Sequence, residues 1–179
     1  MTPSPIAKSA VVSPCRRYRY SLVREWNPAR PRLVVCMLNP STADAEHDDP
    51  TIRALIHFGD AWGYGGLEVI NLRAWRTSRP EQLYFDEVLG FDTVGPDNRA
   101  WWDSARGYAR MNNVPILVAW GANARPADAR HFFAYMRGHV PFICLGTTEA
   151  GFPLHPMARG RNRIPRDRQP QSFIIEAHP

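Results

Sequence analysis

Residues 33–51 read L-V-V-C-M-L-N-P-S-T-A-D-A-E-H-D-D-P-T: an apolar run from Leu33 to Leu38 that empties into a loop of two prolines, an amide, hydroxyls and carboxylates. A run that is apolar at every position, rather than at every second one, is the pattern of a strand covered on both faces. Three more runs that are near-continuous rather than alternating follow at wide spacing, Leu67 to Leu72, Ile116 to Trp120 and Phe142 to Leu145. Helical segments lie between them. Pro50 to Trp62 opens with proline in its first turn and sets Ile52, Leu55, Ile56 and Ala61 on one side; Asp97 to Met111 and Ala127 to Arg137 carry similar stripes. Strand and helix in alternation predict an α/β fold, a three-layer α/β/α arrangement around a mostly parallel, four-stranded central sheet. Arg17 to Trp26 alternates weakly and adds an N-terminal edge strand or hairpin arm. The Pro- and Ser-rich residues 1–14 read as a loose segment ahead of a single domain over 15–179.

Composition narrows the class. A chain of 179 residues with 44% apolar content has material for one compact core. No stretch approaches the roughly 18 uninterrupted apolar residues of a membrane helix. The first thirty residues lack the charged start and apolar block of a signal peptide, so a cytoplasmic monomer without a membrane partner is expected. Cys15, Cys36 and Cys144 are too scattered for a disulfide framework or a zinc site, and Cys36 and Cys144 fit as small apolar residues within strands. The formal net charge is +5, and Lys8 is the only lysine. That balance favours a polyanion such as DNA; an arginine-rich coding bias accounts for it equally well. Position is more telling than number. Arg159, Arg161, Arg163, Arg166 and Arg168 fall within ten residues that also hold Pro165 and carry no apolar period, as a loop or ordered arm would; a solvated basic tail is the other reading.

In a parallel sheet, ligands bind beyond the carboxyl ends of the strands, where strand order reverses. The four runs end in Asn39-Pro40-Ser41-Thr42, in Asn71-Leu72-Arg73, in Trp120-Gly121-Ala122-Asn123, and in Gly146-Thr147-Thr148, which leads on to Phe152-Pro153-Leu154-His155-Pro156. Either asparagine alone reads as a cap or turn residue, and His155 alone as an exposed loop histidine. Four special endings on four successive strands point to one rim.

The set M-L-N-P-S, V-I-N-L-R-A-W, V-A-W-G-A-N-A and P-L-H-P-M, in this order across about residues 32–158, resembles the uracil-DNA glycosylase superfamily. That family shows G-x-[DN]-P after the first strand, an asparagine ending the second, L-W-G-x-x-A after the third and H-P-S after the fourth. A closer likeness is to an uncharacterised group of bacterial and phage proteins with N-P-S-T-A-D, D-D-P-T-I-R and G-x-P-x-H-P. The resemblance implies a monofunctional, cofactor-free and metal-free DNA glycosylase that flips out a base and hydrolyses its N-glycosidic bond. By that resemblance Asn39 holds the attacking water, Asn71 reads the polar edge of a pyrimidine, and His155 donates to the base or to a phosphate. Pro40, Ser41, Trp75, Trp120 and Phe152 are then candidate pocket residues, with Trp120 equally readable as core. Met157, Leu154 or Arg159 would fill the gap in the base stack. The arginine arm (Arg159, Arg161, Arg163, Arg166, Arg168) would follow the phosphates. Leu38 before Asn39, Ser41-Thr42 after Pro40, and Met157 in place of serine depart from the family pattern, so the implied substrate is a damaged or modified pyrimidine. Some superfamily-like glycosylases act in defence against phages whose DNA carries such bases.

The acidic stretch Asp44, Glu46, Asp48 and Asp49 is foreign to that pattern and has three readings. It caps the helix that starts at Pro50; or Asp49 or Asp48 is a catalytic base or a partner to a substituent; or the acids and His47 bind a metal. Two other functions use the same pocket. One is a hydrolase or transferase acting on free nucleosides or nucleotides, the other a module that binds a modified base without cutting it.

Overall fold

The computed structural model describes residues 2–174 apart from 137 and 139. The strands are β1 (Ala7–Val12), β2 (Arg19–Glu25), β3 (Arg32–Met37), β4 (Gly66–Asn71), β5 (Ile116–Val118), β6 (Phe142–Cys144) and β7 (Gln171–Ser172); the helices are α1 (Pro50–Ala61), α2 (Pro80–Val88), α3 (Asn98–Met111) and α4 (Pro126–Met136). Arg137, expected to end α4, and the last five residues of the expected domain, 175–179, lie outside the described residues.

The sheet has seven strands in the order β1-β2-β4-β3-β5-β6-β7. Its centre, β4-β3-β5-β6, is parallel and consists of the four apolar runs, with Leu33 opposite Leu67, Val34 opposite Ile116, and Ile116 opposite Phe142. The expected count of four is corrected by three antiparallel strands around that centre. β2 is the inner arm of a hairpin with β1 rather than an edge, and pairs with β4 on its other side. β1 arises from the segment expected to be loose, and the ladder from Ala7–Glu25 to Val12–Arg19 orders it although its side chains are mostly exposed. β7 closes the far side against β6.

Each parallel strand sends alternate side chains to opposite layers. Leu33, Val35, Met37, Leu67 and Val69 pack against Ile52, Leu55, Ile56 and Phe58 of α1. Val34, Cys36, Ile70 and Val118 pack against Leu83 of α2, Trp102 of α3, and Phe132 and Met136 of α4. Cys36 and Cys144 are buried as expected, and Cys15 is exposed. The turn into β4, Gly63-Tyr64-Gly65, needs its last glycine: a Cβ on Gly65 would lie 1.9 Å from the carbonyl oxygen of Asn27. Among the described residues, no helix is long and apolar enough to cross a membrane.

The chain leaves β3 for β4 on one side, then returns to place β5 on the other. The carboxyl ends of β3 and β5 therefore flank the point where strand order reverses.

Candidate functional site

A cavity of about 430 Å³ opens at that point. This lies within the roughly 300–1,000 Å³ range of small-molecule sites. Its buried wall is Met37, Leu38, Trp120 and Leu154; Asn39, Ser41 and His155 add polar groups, and Arg159 is the charged residue of the lining.

Asn39 follows β3 directly. Its Nδ2 donates to the carbonyl of Thr77 at 2.7 Å and to that of Pro40 at 3.0 Å. Two carbonyl acceptors fix the amide orientation, because an Asn oxygen in that place would face oxygens. The acceptor Oδ1 is thereby left for an external donor. Pro40 is buried and serves the loop: its carbonyl also receives the Thr77 amide at 3.0 Å, tying the end of β3 to the segment after β4. Ser41 lines the cavity beside Thr51, in the first turn of α1.

His155 comes from the loop after β6, where Leu154 N donates to Gly146 O at 2.8 Å and Gly121 N to Pro153 O at 3.1 Å. The amide of Met157 donates to His155 Nδ1 at 3.1 Å. That bond places the proton of the neutral imidazole on Nε2, which is then a donor. Gly121 makes room for this ring: it sits at φ +76°, and a Cβ there would lie 3.1 Å from the Cβ of His155. Burial pulls the His155 pKa below its ordinary 6.5, and the nearby Asp49 charge opposes the shift. The folded chain thus prefers the neutral ring more than the unfolded chain does. Its contribution to stability is present above pH 6.5 and lost as pH falls through the lowered pKa. His155→Gln should therefore flatten the acid-side fall in melting temperature between about pH 7.5 and 5. An unchanged fall would assign it to another group.

Trp120 is both core and wall. It lines the cavity while its ring packs 5.3 Å from that of Phe133, and its indole Nε1 is buried without a hydrogen-bond partner. Met157 stands exposed beside His155.

Other expected members lie elsewhere. Asn71 is fully buried and does not line the cavity. Its carbonyl accepts from Asn98 Nδ2 at 3.1 Å and Trp102 Nε1 at 2.8 Å, while both polar atoms of its side chain lack partners. The reason is register: Asn71 is the ladder partner of Met37 and, two residues beyond Val69, points to the α1 side behind that methionine. Trp75 is also outside the cavity, since the chain after β4 turns back to bridge Tyr18. Its indole donates to Asp86 at 2.9 Å and its ring meets Tyr18 edge-on at 5.4 Å. Phe152 is half-buried in a turn, its amide donating to Thr148 Oγ1 at 3.1 Å, and is not part of the wall.

The acidic stretch has internal partners. Asp44 Oδ1 accepts the amides of Glu46 and His47, each at 2.8 Å, which hold its carboxyl at a pKa of about 2. Asp48 binds the fully buried Arg24 at 2.6 Å and Lys8 at 3.1 Å. Asp49, expected at the catalytic site, is the N-cap of α1, accepts the Ile52 amide through Oδ1 at 2.9 Å, and does not line the cavity. Among the described residues, no group of three His, Cys, Asp or Glu side chains is placed to hold a metal ion.

The arginine arm is ordered and divides in two. Arg159 lines the cavity, and Arg161 and Arg163 are exposed around the short 3-10 turn Gly160–Asn162. Beyond them the arm descends the outside of α1, with His57 Nε2 3.0 Å from Arg166 O and Trp62 donating to Arg168 O at 2.9 Å. Trp62 is the C-cap. At 1.5 Å per residue it stands about 20 Å along the helix from Asp49. Arg166 and Arg168 are thus carried away from the rim where they were expected. Thr51, Thr77, Ser78 and Asn162, which also line the cavity, escaped the sequence reading because isolated hydroxyls and amides have no periodic signature.

No curated protein and no solved structure matches the chain. Residues 19–157, from the start of β2 to Met157 and including all of the cavity lining except Ala158, Arg159 and Asn162, match one family, and the chain belongs to it: the family described as protein of unknown function (DUF1643).

Proposed function

We propose that the chain is a glycosylase-like hydrolase of the uracil-DNA glycosylase type, acting on a damaged or modified pyrimidine flipped out of DNA. The observation that carries this reading is the pairing, in one cavity at the strand-order reversal, of an amide whose oxygen is left free and an imidazole whose Nε2 is a donor. The base would lie against Trp120. Asn39 Oδ1 would hold a water for attack on C1′ of the sugar. As the C–N bond breaks, its electron pair leaves with the base, and His155 Nε2–H supports the charge that develops there. The water oxygen bonds to C1′, and its proton passes to the departing base, since an amide cannot keep it. Met157 is suited to fill the gap left in the stack, and Arg159, Arg161 and Arg163 to meet the flanking phosphates. DNA of phages with modified bases is a natural source of such a substrate.

The descent of Arg166 and Arg168 along α1 favours a second reading, in which the same cavity acts on a free nucleoside or nucleotide. One experiment separates the two. Incubation with genomic DNAs of differing base modification, followed by mass spectrometry of released bases, should show one free base and matching abasic sites. Replacing Arg159, Arg161 and Arg163 together by Ala should weaken that release by tenfold or more at about 150 mM salt. Release from nucleosides alone, unaffected by the triple variant, would establish the second reading; binding to modified DNA with no released base would leave a recognition module.

A further inference from the structure

The most deeply buried unmatched charge lies outside the cavity. Arg19, at the bulge of β2, is 3% exposed, and its guanidinium donates to a backbone carbonyl, that of Ala43, with no carboxylate at ion-pair distance among the described residues. Its Nε is sealed without a hydrogen-bond partner, and the same holds for Asn71 Nδ2, Asn71 Oδ1 and Arg76 Nε. The sheet sets these three residues on adjoining segments. β2 and β4 are ladder neighbours, Arg19 N donates to Ala74 O at 3.0 Å, and Arg76 N donates to Arg17 O at 2.8 Å.

The surrounding charges do not match. Arg76 and Arg24 oppose the Arg19 cation, whereas Asp49 and Asp44 favour it; burial outweighs them all and lowers its pKa to about 10, which leaves it charged at neutral pH. The carboxylates of the adjoining loop are committed: Asp49 to the α1 cap, Asp44 to its own turn, and Asp48 to Arg24. A buried guanidinium without counter-charge is costly, and native structures seldom leave several neighbouring polar atoms unmatched without a role. Guanidinium edges and an amide N–H suit an oxyanion.

We propose that Arg19, Arg76 and Asn71 form an internal site for a small oxyanion, a phosphate or a carboxylate, enclosed between the ends of β2 and β4 and the loop 40–48. Arg19 and Arg76 supply the charge, and Asn71 Nδ2 donates to the anion. The site lies one side chain behind the cavity, because Met37 both lines the cavity and is the ladder partner of Asn71. It is independent of base release, in which none of these three residues takes part.

The test is thermal unfolding at constant ionic strength, with chloride as control and with inorganic phosphate or acetate as probe. One or more probes should raise the melting temperature saturably, by roughly 5–10 °C at a hundredfold excess over Kd. A response to phosphate alone assigns a phosphate; a response to acetate alone assigns a carboxylate. Asn71→Asp places a carboxylate in the site with little change of shape. This variant should melt above the wild type without any probe, and no probe should raise it further. No saturable response in any arm, an Asn71→Asp variant that melts at or below the wild type, or a probe response that persists in that variant would each overturn the proposal.

Discussion

Asn39→Ala is expected to slow single-turnover base release by about 100-fold or more while leaving DNA affinity near that of the wild type. The expectation follows from how the amide is held. Both Nδ2 protons are used on the carbonyls of Thr77 and Pro40, so the side chain has one orientation and presents its oxygen from a fixed point at the end of β3. A water held there approaches the sugar from a set direction, and losing the holder forfeits alignment rather than substrate binding. Asn39→Asp tests the same geometry from the other side. A carboxylate would turn an oxygen toward the two carbonyls now receiving N–H bonds, and the repulsion would move the group. This variant should be impaired too, even though a carboxylate is the better base. Normal release by the alanine variant would remove Asn39 from the chemistry and, with it, the main support for the glycosylase reading.

The sequence disclosed the centre of this molecule better than its margins, for a physical reason in each case. β3, β4 and β5 are buried along nearly their whole length and β6 in part, so burial wrote itself into near-continuous apolar runs. β1 has no such mark. It is an edge strand held by its ladder to β2 and by Lys8 reaching Asp48, contacts that no local pattern encodes. α2 buries a single side chain, Leu83, and so carries no stripe. At the site, Asn39, Trp120 and His155 were placed together correctly because the ends of parallel strands converge. Asn71 was misplaced because a strand-end position says where the backbone stops, while the alternation of the pleat decides which layer receives the side chain. The acids were legible as a cluster and opaque as to partner, since Arg24 and Lys8 lie on β2 and β1, far back in the chain.

The largest expected loss of stability belongs to that partnership. Arg24 is fully buried, and its Nε lies 2.6 Å from Asp48. Its terminal nitrogens donate to the carbonyls of Val23 at 2.8 Å and of Ser9 and His47 at 3.3 Å each, and to that of Asp44. One side chain thus fastens loop 44–48 to β2 and β1. Asp48→Asn removes the counter-charge and leaves a sealed cation, a change that costs about 3–5 kcal/mol in comparable buried pairs. Against the roughly 5–15 kcal/mol that holds such domains folded, this is a fifth or more, readable as a lower midpoint in urea with an unchanged slope. The double variant Arg24→Met with Asp48→Leu should recover part of the loss, because the cost lies mainly in the charge left alone. A double variant no more stable than Asp48→Asn would mean that the carbonyl bonds of Arg24 outweigh its ion pair. In either event the loop that leads from Asn39 into the cap of α1 depends on a strand formed earlier in the chain, so a change at Arg24 should disturb the cavity without touching it.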